Sequence, residues 1–391
     1  MSISSKPLNT SHKLSSTAVA AAEIILAAGA ILLRILWMDY QTLDYVNFLS
    51  QWVRYFRDNG GFAALSGNIG NYNIPYLVFL ALFSYIPVND LYLIKILSCL
   101  FDFLLAFACG RLCENCGGKG RAAFFIVLLL PTVVVNSSLW AQCDSSYTAF
   151  AVLGLALALE KNPSKSTPYL SMVCFAASFA FKLQAVFILP VCLVLLMVNK
   201  YRLRHFIAFP LTYILMVLPA VIAGRPFADT IMLYFDQAES VGSAPNYNSP
   251  SLTALTQSID SSTLIIFAFA AMFALLLLAW MMRKKLSNLR ILIIALLMST
   301  LIPFLLPHMH DRYFYIADVL SVVLACCIPA AFGAAVCQQF ASLICYIAYL
   351  KTYYIPFGGI YLTNDRGAVA VIIAVLIESA AICADKENLQ I

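Results

Sequence analysis

The sequence predicts an all-α fold, a polytopic membrane helical bundle of about 12 transmembrane helices (11–13), on three observations. The composition is 62% hydrophobic and 11% charged, where a soluble domain carries roughly 25% charged residues. Mean hydropathy is +0.87. Apolar runs close to the roughly 20 residues that carry a helix across a bilayer recur along the whole chain, which favours a helical bundle over a barrel. The 391 residues read as a single integral membrane domain with no room for a large soluble part.

Residues 1–17 carry Lys6 and Lys13 and read as a cytoplasmic tail. The apolar run from Ala18 lacks a clear cleavage site, so a retained first helix is expected. Twelve helices are placed at about 18–37, 89–109, 122–138, 146–159, 168–181, 184–199, 206–223, 263–282, 291–306, 313–330, 338–354 and 367–384. With the N-terminus cytoplasmic, about 15 of the 24 Lys and Arg residues, Lys386 among them, fall on the inner side, as the positive-inside rule asks. Residues 38–88 then form a first outer loop. Within it "IPYLVFLALFSYIP" is only about 14 residues, which suits an interfacial or re-entrant helix. Were it to cross, the basic loops that follow would move outside. Residues 224–262 form a second large outer loop, rich in Asn, Ser, Pro and Tyr, that would cover a groove. No internal repeat is evident.

Nine of the twelve cysteines lie in or beside apolar runs and act as small hydrophobes. Cys113 and Cys116 form one CxxC without a second pair at zinc-finger spacing, so no metal site is read there. The net charge of +5 is spread over loops and does not point to nucleic acid.

Three polar clusters share the outer face: residues 38–73, "WAQCDSSY" at 140–147 and "PHMHDRYFY" at 307–315. In "LDYVNFLSQWVRYFRDNGG" the apolar positions 45, 48, 49, 52, 53 and 56 mark one face of a helix, stopped by Gly60–Gly61 and expected to lie on the membrane surface. Asp44 at its start either caps that helix or is a carboxylate at the lipid–water boundary, where partial desolvation would raise its pKa and suit it to general-base work. Asp144, with Gln142 close by, either caps the next helix or faces Asp44 across a groove. There the two carboxylates would bind a divalent cation (Mg2+ or Mn2+) or make polar contacts to a sugar, and no ligand spacing decides between these. Lys182 and Gln184 stand in an apolar neighbourhood, which is costly unless the lysine snorkels or both line a polar cavity. In that cavity Lys182 would meet an anionic group. His308 and His310 are two apart and would not share a helix face. Arg312 beside them suits phosphate. Lys95, Asp102, Glu23, Asp318 and Glu378 are buried charges expected to be packing partners.

Five motifs, "LDYVNFLSQW", "NYNIPYLVFL", "LWAQCDSSY", "SFAFKLQAVFILP" and "LPHMHDRYFYIADVL", follow in order from residue 43 to 320. Together they resemble bacterial GT-C class membrane glycosyltransferases, mannosyltransferase-like proteins related to the second mannosyltransferase of GPI-anchor assembly. The resemblance implies a GT-C type bundle in the cell membrane with its active site on the extracytoplasmic face. It also implies a polyprenyl-phosphate sugar donor and a glycan, lipid or protein acceptor. It assigns the catalytic base to Asp44, since "DY" followed by "FL" and Trp52 fits the family pattern while Asp39 lies outside it. Asp144 corresponds to a second acidic position, and Gln142, Lys182, Gln184, His310, Arg312, Asn71 and Asn73 join it as substrate-binding candidates. Two departures stand out: Ala141 where Gly is expected, read as a small change, and Asp311 where Glu is common.

The expected chemistry is a direct displacement with inversion, in which Asp44 deprotonates an acceptor hydroxyl and Arg312 or Lys182 stabilises the departing phosphate. Neither GxGxxG at a strand–helix turn nor GxxxxGK[ST] occurs, consistent with a donor that carries no nucleotide. A transporter or flippase of lipid-linked sugars is the alternative; it would place its charges at the bilayer midplane between repeats. A polysaccharide polymerase or ligase would share the topology and differ in donor size.

Overall fold

The computed structural model describes residues 16–239, 242–352 and 355–384. Lys6, Lys13, nearly all of the 1–17 tail and Lys386 lie outside them. α1 (Ser16–Ile35) leads into a segment holding a π-helical turn Tyr45–Leu49, α2 (Ser50–Asp58), a 3-10 turn Gly61–Ser66 and α3 (Ile74–Phe83). Then come α4 (Asp90–Asn115), α5 (Gly120–Leu128) and α6 (Pro131–Val134), which runs into a second π turn, Val135–Leu139. α7 (Asp144–Ala158) and α8 (Thr167–Phe181) precede a 3-10 turn, Leu183–Phe187, and α9 (Val191–Met197). α10 (Ala208–Ile222), α11 (Phe227–Glu239) and α12 (Leu252–Leu255) lead to α13 (Ser261–Met282), α14 (Asn288–Leu305), α15 (Tyr315–Cys327), α16 (Phe332–Lys351) and α17 (Asn364–Ala384). β1 (Asn246–Tyr247) and β2 (Met309–His310) pair in parallel, and β3 (Ile355–Phe357) pairs antiparallel with β4 (Ile360–Leu362).

Each of the twelve predicted segments is helical. Their status as spans differs. Among the described residues, six helices are long and apolar enough to cross a bilayer, or seven if α5 and the α6 segment, bent by 45° at their break, form one broken span. The break follows from Pro131, which holds Leu130 extended at ψ 128° and takes the first position of the next helix. α7 and α8 have 15 residues each and α15 has 13, so at 1.5 Å per residue they fall short of a hydrocarbon core about 30 Å thick. These shorter helices pack inside the bundle, α7 along α4 and α8, and α15 along α16, as does α14, whose membrane-length stretch is 78% buried.

The segment after α1 departs from expectation in one respect. Of the predicted apolar face, Tyr45, Leu49, Trp52, Val53 and Phe56 are buried and Phe48 is exposed. That face packs on α3 and the 3-10 turn, so its apolar stripe serves the protein interior and not a lipid surface. α3 has 10 residues, about 15 Å of helix, of which Ile74, Pro75, Tyr76, Leu77, Leu80, Ala81 and Phe83 are buried. It is a core helix too short to span.

Of the charges expected to be packing partners, Lys95, Asp102, Asp318 and Glu23 have partners, whereas Glu378 is buried with neither carboxylate oxygen hydrogen-bonded. Arg34 of α1 donates two hydrogen bonds to Asp102 Oδ2, at 2.9 and 2.8 Å, and others to the carbonyls of Ala30 and Leu128. Ser137 and Ser145 also donate to Asp102. Lys95 donates to the carbonyls of Trp37 and Tyr40, 2.6 Å each, closing the end of α1. These contacts tie down a helix whose membrane-length stretch is only 11% buried. Glu23 pairs with Arg121 at 3.3 Å, and Asp318 accepts from Ser342 and Gln338.

Candidate active site

Two π turns frame the site. Asp44 directly precedes the turn Tyr45–Leu49, and Trp140 directly follows the turn Val135–Leu139. Such turns insert a residue into a helix, re-aim the side chains at its end and often occur at functional sites. Thr42 Oγ1 donates to the Trp140 carbonyl at 3.1 Å and joins the two segments. Beyond Trp140 the chain reverses through Ala141 at φ +62°, which turns Gln142 back toward Asp44.

Asp44 is not a helix cap. Its backbone is already helical and its side chain makes no capping bond. Instead Oδ2 accepts from Trp140 Nε1 at 2.9 Å and Gln142 Nε2 at 2.8 Å, while Oδ1 accepts from Tyr349 Oη at 2.5 Å. All three donors are neutral. The carboxylate is therefore oriented without being neutralised.

Asp144 is not a cap either. Cys143 occupies the cap position of α7, and the Asp144 carboxylate, 1% exposed, faces Lys182 on one oxygen and both Asn136 Nδ2, at 2.8 Å, and Arg312, at 3.3 Å, on the other. Lys182 reaches it because the chain leaves α8 there in an extended conformation, φ −156° and ψ 135°. Its ammonium also lies over the rings of Tyr72 and Tyr147. Gln142 links the two acids: its Oε1 accepts from Tyr72 Oη at 3.0 Å and from Arg312, and its Nε2 donates to Asp44. Arg312 stacks over Trp140 at 4.9 Å and lies 3.5 Å from Asp311. Both cations keep part of their surface open, 12% for Lys182 and 17% for Arg312.

The β1–β2 ladder carries His310, two residues before Arg312. His310 stacks on Tyr247 with ring centroids 4.7 Å apart and planes within 10°. Burial, reinforced by Arg312 and Lys182, pushes the His310 imidazole down to about 4, so it is neutral near pH 7 and is no cation for phosphate. His308 turns elsewhere, its Nδ1 2.7 Å from the Ala244 carbonyl. Burial pushes the Asp311 carboxyl up to about 7 against the opposing pull of Arg312, with Asp44 and Asp144 adding to the rise.

Of the sequence candidates, the structure joins Asp44, Gln142, Asp144, Lys182 and Arg312 into one network, with His310 on the wall. Gln184 lies against Tyr313, and its Oε1 is buried without a hydrogen-bond partner. Asn73 is occupied structurally as the cap of α3, accepting from the Ile74 amide at 2.8 Å, and Asn71 is exposed at the surface. A divalent cation does not fit the donor set. The Asp144 oxygens already face two cations, Asp44 already accepts from three donors, and no group of three or more His, Cys, Asp or Glu among the described residues could hold a metal. Trp140, Tyr349, Tyr72 and Asn136 escaped the sequence reading. Trp140 stood inside a quoted motif and could have been singled out, whereas Tyr349 lies 305 residues from Asp44 in a helix that reads as ordinary apolar sequence.

In fold this is a GT-C type helical bundle. Residues 78–198 match the MptA_B family, described as alpha-(1->6)-mannopyranosyltransferase, N-terminal domain; that stretch includes Gln142, Asp144, Lys182 and Gln184 and leaves out Asp44 and Arg312. The fold is similar to that of ArnT from Cupriavidus metallidurans, solved bound to undecaprenyl phosphate, with a TM-score of 0.54 and 12% identity over 94% of this chain and 78% of that one. No curated protein matches by sequence.

Proposed function

We propose that the protein is a membrane glycosyltransferase that moves a hexose, mannose in particular, from a polyprenyl phosphate to an acceptor hydroxyl on the extracytoplasmic face, with inversion. One observation carries this reading: an apolar cleft of about 600 Å³ is walled in part by the segments that follow Lys182 and precede Arg312. Its walls include Phe187, five residues after Lys182, and Leu306, six before Arg312, together with Pro190, Phe269 and Met272. Phe187 touches the Tyr313 ring at 6.2 Å. An isoprenoid chain suits such a lining, and a phosphate at its head would meet Lys182 and Arg312. The ArnT structure with undecaprenyl phosphate supports the same class of donor, and the family likeness supports mannose.

In the mechanism, Trp140 and Gln142 hold Asp44 through Oδ2, leaving Oδ1, with only the Tyr349 phenol on it, to take the proton of the acceptor hydroxyl. The deprotonating oxygen attacks the anomeric carbon as the bond to the phosphate oxygen breaks. Lys182 and Arg312, preorganised on Asp144, stabilise the charge that grows on that oxygen, which is the electrostatic assistance worth most in a water-poor site. The test is to incubate purified protein with polyprenyl-phosphate mannose and polyprenyl-phosphate glucose, in the presence of a membrane extract as acceptor source. Release of polyprenyl phosphate from the mannose donor is expected; release from neither would reject the function.

A further inference from the structure

The mechanism leaves one cavity unused. Asn246 and Asn248, paired with the strand that carries His310, line a cleft of about 400 Å³ together with Gln257, Thr363, Asn364 and Asp365. That volume lies within the roughly 300–1,000 Å³ of small-ligand clefts. Its lining is chemically distinct from both the apolar cleft and the cation pair: amides, hydroxyls and one carboxylate, with no basic side chain among the residues that form it. Such a lining gives a phosphate no cation to pair with. Each amide supplies both a donor and an acceptor, and a carboxylate accepts from two neighbouring hydroxyls, so the lining suits an uncharged, hydroxyl-rich ligand.

The cleft is built, and one helix ties its wall to the base. Asn246 Nδ2 donates to the Ser249 carbonyl and to the hydroxyls of Ser251 and Thr253 at 2.9–3.1 Å, and its Oδ1 accepts from the Ser249 amide at 2.7 Å. That fixes one wall and uses Asn246 fully. Asn248 Nδ2 donates to the Cys345 carbonyl at 2.6 Å. Four residues further along α16, Tyr349 donates to Asp44. One helical turn, about 6 Å of rise, therefore separates the anchor of the cleft from the anchor of the base. Gln257 is exposed, and Asp365 has only a loose pairing with Arg366 at 3.7 Å, so both remain available to a ligand.

We propose that this cleft holds the acceptor and that the acceptor is a saccharide chain, seated so that its terminal residue presents a hydroxyl to Asp44. The proposal rests on the glycosyltransferase reading and names its second substrate. It is tested on the purified full chain without donor, by titrating α-1,6-linked mannotriose and following saturation-transfer NMR. Wild-type protein should bind, and Gln257→Ala with Asp365→Asn should weaken binding about tenfold, the scale expected for two lost hydrogen bonds. Thr363→Val provides a second variant on the same wall and should weaken binding in the same direction. Absence of wild-type binding, or equal binding by all variants, overturns the proposal. Because no donor is present, these outcomes are independent of the donor-consumption assay: donor release without saccharide binding removes the acceptor cleft alone, and saccharide binding without donor release removes the transferase reading.

Discussion

Two clusters of buried charge lie next to each other in the chain, joined at Asp144 and Ser145, and only one of them carries the proposed chemistry. Around Asp102 everything is closed: Arg34 and Asp102 are 4% and 0% exposed, and Ser137 and Ser145 fill the remaining positions on the carboxylate. Around Asp144 one carboxylate holds two cations, each partly open, and the neighbouring Asp44 is held by neutral donors alone. A buried ion pair is thus a poor sign of function by itself. What separates the two clusters is unspent cationic surface beside an un-neutralised carboxylate.

The sharpest way to break that comparison is to treat both clusters alike. Asp44→Asn keeps the shape and loses the base, and turnover of the polyprenyl-phosphate donor should fall by about 10²–10⁴, with the melting temperature unchanged in detergent. Asp102→Ala leaves Arg34 buried and unpaired and should cost about 3–5 kcal/mol of stability, measured by thermal or denaturant unfolding, while the folded fraction keeps its turnover. A loss of turnover in folded Asp102→Ala as deep as that of Asp44→Asn would erase the distinction.

A smaller effect concerns pH. The Asp311 carboxyl titrates at about 7 in the folded chain, above its ordinary 3.8, so the folded state binds its proton more tightly than the unfolded state does. Stability present below pH 3.8 is then lost as pH rises to 7 and beyond. Thermal unfolding at pH 5 and pH 8 should show wild-type protein melting lower at pH 8 by several degrees, and Asp311→Asn should flatten the difference. An unchanged slope in the variant would place the titration elsewhere.

The helices were legible because each is an apolar run bounded by charge, Gly or Pro. The counterparts of the charged residues were not. Asp102 in an apolar run points to a packing partner, but its match, Arg34, sits on another helix 68 residues away, and nothing local announces that pairing. Position 44 shows the same limit. An Asp before an amphipathic run has the pattern of a cap, yet the chain is already helical there and the carboxylate is claimed by Trp140, Gln142 and Tyr349. The apolar face of α2 was likewise correct as a face, while its partner, protein in place of lipid, depends on where α3 packs.

Ala141 refines the site on the smallest scale. The sequence suggested that Ala in place of Gly there changes little, but the residue sits at φ +62° and is 1% exposed. The left-handed region costs a residue with a Cβ about 1–2 kcal/mol, and Gly returns roughly 0.4–1 kcal/mol of that through the greater freedom of its unfolded chain. Ala141→Gly should therefore raise stability by between nothing and about 1.5 kcal/mol, at most a rise of about 1–2 °C at the melting point of a chain this long, with donor turnover retained. The bend is held from both sides, by Ala141 N donating to the Ser137 carbonyl at 3.2 Å and Gln142 N donating to the Asn136 carbonyl at 2.9 Å. Glycine would keep those bonds and relieve the backbone. If Ala141→Gly melts lower, the methyl group contributes more by packing at the turn than it costs in φ, and the strain between Trp140 and Gln142 is smaller than the dihedral angle implies.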